Sequence, residues 1–266
     1  MQPLVHRVAL VTGGGRGIGR ATALELARLG AAVAVLARSS DQVATVAAEI
    51  SAHGGRALAL SADVADGAAV QAAVDAVERA LGPIDILINN AAVLEPLGPT
   101  ATSDPEAWAR AIAINVVGAY RCLRAVLPGM LERRWGRIVN VSSGAATGSG
   151  ILNASAYSTS KAALDMLTRA VAAEIASSGV TVNALHPGMV DTAMQTTLRT
   201  APIDQIGAAT SARFRGAYER GELRDPAEPA RLIAAIVLSD AQGEIVSIRD
   251  QRAQELLRML PGYEPG

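Results

Sequence analysis

A tyrosine and a lysine four residues apart give the sequence its clearest means of moving a proton. Tyr157 and Lys161 stand at the head of a stretch with helical periodicity, so both side chains project from one helical face. A phenol has a reference pKa of about 10, and a nearby positive charge and a hydrogen-bond partner bring that pKa toward neutral pH. Ser143 follows a predicted strand and adds a hydroxyl that can hydrogen-bond to a substrate oxygen. These residue types predict a proton-transferring site suited to hydride chemistry.

The lysine of this pair is the only lysine in the chain, although the sequence contains 24 basic residues. Arginine therefore supplies every other basic side chain. An ammonium is a compact donor whose pKa its surroundings can tune, whereas a guanidinium is a broad, planar fork. The use of lysine at this one position favours a chemical role for Lys161. The four-residue spacing alone is also typical of an ordinary tyrosine–lysine pair on a helix surface, which remains the alternative.

The first predicted strand ends in a glycine-rich turn that leads into a helix. Glycines permit positive φ, let backbone N–H groups approach a phosphate and admit a close helix start. A tight turn needs glycine even without a ligand, but this turn lies at the carboxyl end of a strand, where open sheets bind their ligands. We expect a dinucleotide pyrophosphate here. The residues expected to bind it are Thr12, Gly13, Gly15, Arg16, Gly17, Ile18 and Gly19.

The end of the second predicted strand indicates which dinucleotide is bound. An acidic residue there would bind a free ribose 2′-hydroxyl, whereas an arginine accommodates a 2′-phosphate. The strand ends at Ala37, followed by Arg38 and Ser39, and Arg16 of the glycine turn can approach the same phosphate. The pattern favours NADP(H) over NAD(H), with the alternative that Arg38 merely ends a strand.

Short aliphatic runs alternate with longer alanine-rich stretches of helical period along most of the chain. The predicted strands are Arg7–Thr12, Ala32–Ala37, Arg56–Ser61, Ile84–Asn89, Arg137–Ser142 and Val180–His186. The predicted helices are Ile18–Gly30, Asp41–His53, Ala68–Leu81, Pro105–Arg133, Ala156–Ser178 and Pro226–Asp240. Strict alternation predicts a single-domain α/β fold with a doubly wound, Rossmann-like parallel sheet, with an eight-unit barrel as the alternative. Residues 190–225 interrupt the pattern and are predicted to form a lid over the site.

Composition excludes several other classes of function. The formal net charge is −1, so no strong field would attract nucleic acid or an anionic membrane. The single cysteine, Cys122, has no disulfide partner and no metal-ligand neighbours at useful spacing, which favours a cytoplasmic enzyme without a metal. No signal-peptide pattern is recognised, and no segment is expected to reach the roughly 20 apolar residues of a membrane span.

Taken together, the motifs resemble those of the classical short-chain dehydrogenase/reductase family in order and spacing. The resemblance extends over about Arg7 to Val246. The matching motifs are Thr-Gly-x-x-x-Gly-x-Gly at Thr12–Gly19, Asp63-Val64, Asn89-Asn90-Ala91, Asn115, Ser143, Tyr157-x-x-x-Lys161 and Pro187-Gly188.

This resemblance implies a role for each matching residue. Tyr157 would be the general acid for reduction, Lys161 would bind the nicotinamide ribose and lower the tyrosine pKa, and Ser143 would orient the carbonyl. Asn115 would support the proton relay. The remaining cofactor contacts implied are Asp63 and Val64 at the adenine, Asn90 and Ala91 by the ribose, and Pro187, Gly188, Val190 and Thr192 around the carboxamide.

The sequence departs from the family pattern at two places. Ala92 stands where the family usually has glycine, and the common Asp-Gly-Gly after the last strand is missing. This ending is partly similar to the sepiapterin and benzil reductase branch, where a carboxylate near the C-terminus anchors a pterin. Asp250 could match that carboxylate, or it could be the N-cap of a helix over Gln251–Leu260. His186 is expected to be a packed neighbour without an acid/base role.

We therefore expect an NADPH-dependent reductase of a ketone or diketone, because apolar residues of the lid favour an apolar carbonyl. Alternatives are reduction of a 3-oxoacyl thioester on an acyl-carrier protein, pterin reduction, alcohol oxidation with NAD, and a non-catalytic NADP-binding regulator. Apolar outward positions on Pro105–Arg133 and Ala156–Ser178 resemble the family's four-helix contact and predict a homodimer or homotetramer. The predicted partners are thus a small carbonyl or alcohol and further copies of the chain.

Overall fold

The computed structural model describes residues 2–263, and its strands and helices alternate as the sequence predicts. The strands are β1 Val8–Thr12, β2 Ala32–Ala37, β3 Ala57–Ser61, β4 Ile86–Asn89, β5 Gly136–Val141, β6 Val180–His186 and β7 Ile245–Ser247. The α-helices are α1 Gly17–Arg28, α2 Ser40–Ala52, α3 Gly67–Ala80, α4 Pro105–Ile112, α5 Ala119–Glu132, α6 Ser155–Glu174, α7 Ala193–Thr200, α8 Ile203–Ile206, α9 Ala208–Glu219, α10 Ala227–Leu238 and α11 Gln251–Leu257.

The seven strands form one parallel sheet in the order β3-β2-β1-β4-β5-β6-β7. The order reverses between β1 and β4, so a crevice opens there at the carboxyl ends of the strands. The predicted doubly wound, Rossmann-like single domain is therefore confirmed, and the barrel alternative is wrong. The six strands predicted from sequence are all present, with ends that differ by at most two residues.

Two aliphatic cores cover the two faces of the sheet. One core packs α1, α2, α10 and α11 on the sheet, and the other packs α3, α5 and α6. Their largest fully buried side chains are leucines and isoleucines together with Met130. Each such side chain stabilises the fold by roughly 1.5–3 kcal/mol through burial, so a chain with 3% aromatic residues still builds a firm scaffold.

Three features differ from the sequence prediction. The six predicted strands did not include β7, because three residues are too few to show a periodicity. The predicted helix over Pro105–Arg133 is divided by a π-helical segment, Ala113–Gly118. The predicted lid is ordered as three short helices, α7, α8 and α9, which the sequence showed only as an interruption.

The expectation that no segment approaches the apolar length of a membrane span also needs correction. The helical stretch Pro105–Glu132 has 28 residues and a mean hydropathy of 1.3 in its most apolar window, so it is long and apolar enough to cross a membrane by those two measures. In this fold, however, α5 packs against β4, β5 and α3. A layer helix on a parallel sheet needs an apolar face, which accounts for its composition.

Candidate active site

The crevice between β1 and β4 is fixed by hydrogen bonds between the two strand ends. The Thr12 hydroxyl donates to the Ile88 carbonyl at 3.2 Å and accepts from the backbone N–H groups of Asn90 and Ala91 at 3.0 and 3.1 Å. The Asn90 side-chain amide donates back to the carbonyls of Thr12 and Gly13 at 3.0 and 3.1 Å. These contacts hold the glycine turn in place before any ligand binds.

The glycines of the turn leave no room for a side chain on its inner side. Gly13 has a φ of +62°, and a Cβ atom on Gly19 would lie 2.3 Å from the Gly13 carbonyl oxygen. Helix α1 begins at Gly17, and its N-cap residue Arg16 forms no side-chain capping hydrogen bond. The first N–H groups of the helix therefore have no side-chain cap, and together with the helix dipole they suit a phosphate. The turn fits a dinucleotide pyrophosphate.

Arg16, Arg38 and Ser39 line the same cleft beside the glycine turn. Within residues 2–263, neither guanidinium forms an ion pair with a carboxylate. Ser39 is the N-cap residue of α2, and its side chain makes no capping bond there. These side chains lie where the sequence predicts a 2′-phosphate, and they keep their hydrogen-bonding capacity for a ligand.

The predicted adenine contacts form another wall of the cleft. Asp63 accepts from the Ala65 N–H at 2.9 Å and forms an ion pair with Arg110, so its carboxylate is held in one orientation. Val64 packs so closely on Gly118 that a Cβ there would lie 2.7 Å from a Val64 methyl carbon. Asp63 and Val64 are therefore positioned by the chain between β4 and β5, a contact that sequence patterns did not predict.

Pro187, Gly188, Val190 and Thr192 line the cleft beyond the end of β6. Gly188 has a φ of +76°, which turns the chain away from the strand. The methyl group of Thr192 would lie 3.1 Å from a Cβ on Gly17, so the start of the lid lies over the glycine turn. The predicted nicotinamide contacts and the predicted pyrophosphate contacts thus face one continuous cleft, with a volume of about 1500 Å³.

Ser143, Tyr157 and Lys161 meet at the inner end of this cleft. Tyr157 and Lys161 lie on α6 as predicted, and the Lys161 Nζ atom is 5.6 Å from the centre of the Tyr157 ring. Lys161 Nζ donates to the Val141 carbonyl oxygen at 2.7 Å, which ties α6 to β5. Ser143 lies just after β5, where its hydroxyl accepts from the Ala145 N–H at 3.1 Å. A hydroxyl, a phenol and an ammonium therefore line one pocket.

Burial controls the protonation of both residues on α6. Burial raises the pKa of Tyr157 above its ordinary value, and a hydrogen bond from Ser143 lowers it in part. Burial also lowers the pKa of Lys161 from 10.5 to about 8, against an opposing attraction from Asp165. Tyr157 is therefore a protonated phenol at neutral pH, which is the form that can donate a proton. The lowering of the tyrosine pKa by Lys161 stays a prediction.

Asn115 is buried behind the wall of the cleft and is not among the residues that line it. It lies in the π-helical segment, where its amide oxygen accepts from the Val93 N–H at 2.8 Å. Its amide nitrogen donates to the Val93 carbonyl at 2.8 Å and to the Ser160 hydroxyl at 3.0 Å. π-helical turns frequently occur at functional sites. Ser160 was not recognised from sequence, since only the fold shows that it holds Asn115.

The lid covers the inner end of the cleft with apolar side chains. Leu198 and Phe214 of the lid pack with Leu94, Ala145 and Tyr157 in a small separate cluster. The lid ends are joined at its base, where the Asp191 N–H donates to the Arg224 carbonyl and the Arg224 N–H to the Met189 carbonyl, both at 2.9 Å. The lid is therefore a closed loop with an apolar inner side.

Asp250 also lines the cleft, and it takes neither of its two predicted roles in full. It occupies the N-cap position of α11, but its side chain makes no capping bond to that helix. Its carboxylate instead accepts from the Ser247 N–H at 3.3 Å. The helix that follows ends at Leu257, three residues before the predicted end.

Comparison with known proteins agrees with this geometry. The profile of the short chain dehydrogenase family matches residues 7–202. A short chain dehydrogenase of Pseudocercospora fijiensis is 39% identical over 209 residues, which are 78% of this chain and 65% of that protein. A 3-oxoacyl-[acyl-carrier-protein] reductase of a Synechocystis species is 41% identical over 207 residues, covering 77% of this chain and 83% of the relative.

Solved structures share the fold. NAD+-bound xylitol dehydrogenase superposes with a TM-score of 0.84 at 31% identity, covering 92% of this chain and 98% of that one. A variant of actinorhodin polyketide ketoreductase with NADPH gives a TM-score of 0.82 at 32% identity, covering 91% of this chain and 95% of that one. The chain therefore belongs to the short-chain dehydrogenase/reductase family and is an oxidoreductase of that family.

Proposed function

We propose that this enzyme reduces the carbonyl of a ketone or diketone to an alcohol, with NADPH as the hydride donor and Tyr157 as the general acid. The observation that carries the proposal is the buried phenol of Tyr157 beside Ser143, at the inner end of a cleft lined by apolar side chains. NADPH, when bound, supplies the hydride. Tyr157 gives its proton to the oxygen of the carbonyl, and Ser143 donates a hydrogen bond to that oxygen.

The choice of NADPH rests on Arg16 and Arg38. Both guanidiniums line the cleft beside the glycine turn and form no ion pair with another described residue. A 2′-phosphate would supply the missing counter-charge, with hydrogen bonds that gain strength from both charges. The NADPH named with the actinorhodin ketoreductase supports this choice, whereas the NAD+ named with xylitol dehydrogenase does not.

The preference for an apolar carbonyl rests on the lid. Three of its five arginines are engaged within the lid: Arg199 stacks on Tyr218, Arg215 donates to the Arg199 carbonyl, and Arg220 pairs with Glu222. Arg224 pairs with Glu228 of α10. Arg213 lines the cleft. One arginine gives little attraction for a phosphate-bearing carrier, whereas Leu198 and Phe214 suit an apolar substrate.

A 3-oxoacyl thioester is the second candidate, because the Synechocystis relative is named for that reaction and is 41% identical. In that case Arg213 would contact the carrier. Pterin reduction would use the Asp250 carboxylate, which lines the cleft and accepts from the Ser247 N–H through Oδ2 at 3.3 Å. These reactions differ in the substrate that the lid admits and share the same proton donor.

The surface of α5 and α6 supports assembly of identical chains. Tyr120 of α5, Met166 of α6 and Val117 of the adjoining π-helical segment expose apolar side chains there, with Met166 60% exposed. We propose a homodimer or homotetramer in the cytoplasm, formed through these helices. Sedimentation of the purified chain tests the assembly.

The test of function is the rate of NADPH and NADH oxidation with an aromatic diketone, a pterin, a 3-oxoacyl thioester and simple ketones. The diketone is expected to react with NADPH. Arg38→Leu is expected to weaken NADPH binding about tenfold or more while NADH binding stays unchanged, because only NADPH carries the 2′-phosphate. Arg79→Leu, an exposed arginine on α3, is the matched control. A stronger response to NADH in the unaltered enzyme would contradict the choice of cofactor.

A further inference from the structure

A buried acid–histidine pair lies behind the active-site lysine. The His186 Nε2 atom is 2.9 Å from the Asp165 Oδ2 atom, and the two residues are only 8% and 7% exposed. His186 ends β6, and Asp165 lies on α6, so the contact joins a strand end to the helix that carries Tyr157 and Lys161. The sequence prediction assigned His186 no role, and it did not consider Asp165.

One oxygen of the carboxylate remains unused by this contact. Asp165 Oδ1 is fully buried and has no hydrogen-bond partner among the described residues. A buried carboxylate oxygen without a partner is costly, so its presence suggests an electrostatic purpose beyond joining α6 to β6. The packing contact with His186 would not need a charged group.

Asp165 follows Lys161 by four residues on α6, which places the two side chains on one face of the helix. Lys161 Nζ donates to the Val141 carbonyl and is 3% exposed, so its ammonium has lost nearly all of its water. Asp165 is the charged residue whose attraction opposes the effect of that burial. From β6, His186 contacts Asp165, and on the next turn of α6 the exposed Arg169 lines the same cleft as His186.

We propose that Asp165, held in place by His186, is a positioning residue that keeps Lys161 in its ammonium form. His186 donates from Nε2 to the Asp165 carboxylate, which fixes the orientation of that carboxylate. The carboxylate then balances the ammonium across one helical turn. The proposal rests on the proposed function in one respect, that Tyr157 and Lys161 form the proton-transferring pair.

The protonation of Lys161 can be measured without knowing the substrate. Because Lys161 is the only lysine of the chain, lysine labelled with ¹³C at Cε gives a single side-chain signal in the full-length protein. Its chemical shift, followed against pH, gives the pKa of Lys161, expected at about 8 in the unaltered enzyme. In Asp165→Asn the pKa is expected to fall by about 1 or more, because the attracting charge is lost.

Substitutions of His186 separate charge from packing. His186→Gln retains a donor for Asp165 and is expected to keep the Lys161 pKa near its original value. His186→Leu removes the donor and is expected to lower the pKa of Lys161. Thr168→Val is the matched control, since Thr168 is a buried polar residue of α6 that bonds Asn140 and lies one turn beyond Leu164. It should leave the Lys161 signal unchanged.

An activity measurement gives an independent readout. With any carbonyl that the enzyme reduces, the decline of turnover at high pH is expected at a lower pH in Asp165→Asn than in the unaltered enzyme, by the same amount as the NMR titration. Unchanged Lys161 titration in Asp165→Asn, or in His186→Leu if the first variant does not fold, would overturn the proposal and leave a purely structural pair. Failure to find a substrate would bear on the proposed function alone, because the NMR titration does not need one.

Discussion

The cofactor half of the cleft and the lid are built in different ways. At the cofactor half, backbone and short side chains are joined across strands, as between Thr12 and Asn90 at 3.0 Å, and glycines leave no room for added atoms. The lid consists of three short helices that present apolar side chains to the cleft and are joined at their base. One half is defined by its backbone, the other by its side chains. Substitutions should therefore impair cofactor binding and substrate binding separately.

The largest effect is expected where the two halves meet. Tyr157→Phe should leave the fold and cofactor binding intact and lower turnover by about 10³-fold, because the proton donor is removed while the ring is kept. Turnover and cofactor affinity should be measured in the same preparation. Tyr120→Phe, an exposed tyrosine of α5, is the control. Retained turnover in Tyr157→Phe would exclude this residue as the acid.

Gly19→Ala should break the cofactor half. Its Cβ atom would lie 2.3 Å from the Gly13 carbonyl oxygen and 2.5 Å from the Asn90 amide nitrogen, so the turn must shift. Cofactor affinity, measured by calorimetry, is expected to fall about tenfold or more. Gly67→Ala on α3 is the control, because its Cβ atom would have no neighbour closer than 3.5 Å. This variant should bind the cofactor as tightly as the unaltered enzyme. Equal binding by both variants would mean that the turn adapts.

Phe214→Ala should change the lid without changing cofactor binding. The side chain is 3% exposed and packs with Leu198, so its loss opens a cavity on the substrate side. The KM for an apolar carbonyl is expected to rise about tenfold, while cofactor affinity stays constant. Phe214→Leu, which keeps most of the volume, should show a smaller rise. A parallel loss of cofactor affinity would show that the halves are coupled.

Lys161→Met should make the fold more stable at pH 7. The pKa of Lys161 is about 8 in the folded protein and 10.5 in the unfolded chain, so unfolding takes up protons between these values. Folding therefore carries a penalty below pH 8, which disappears as pH rises toward 10.5. The loss of the hydrogen bond to Val141 offsets part of this effect. The free energy of unfolding of the variant is therefore expected to exceed that of the unaltered enzyme by about 1–2 kcal/mol at pH 7. Chemical denaturation at pH 7 and pH 9.5 should show this gain shrinking, and a constant difference would contradict it.

Sequence predicted the cofactor half better than the lid for a physical reason. Parallel strands bring their carboxyl ends to one edge, so motifs at strand ends, such as Thr12 and Asn90, could be assigned to one crevice before any coordinates. The π-helical turn at Asn115 and the pair of His186 with Asp165 depend on how α6 packs against its neighbours. The hydrophobic periodicity of the sequence does not predict how α6 packs against other elements. Short elements such as β7 and α8 are stabilised by tertiary contacts, so local sequence did not reveal them.

The two hydrogen bonds at the base of the lid have an evolutionary consequence. Because Asp191 and Arg224 hold the ends together, the span that the intervening chain must cross is fixed by the scaffold and not by the lid. Doubling the length of such a loop costs only about 0.6 kcal/mol in closure entropy. Insertions, deletions or whole replacements between these residues should therefore leave the sheet undisturbed. The sequence of the lid can therefore vary during evolution, and the lid of a relative can replace it, while the sheet stays the same.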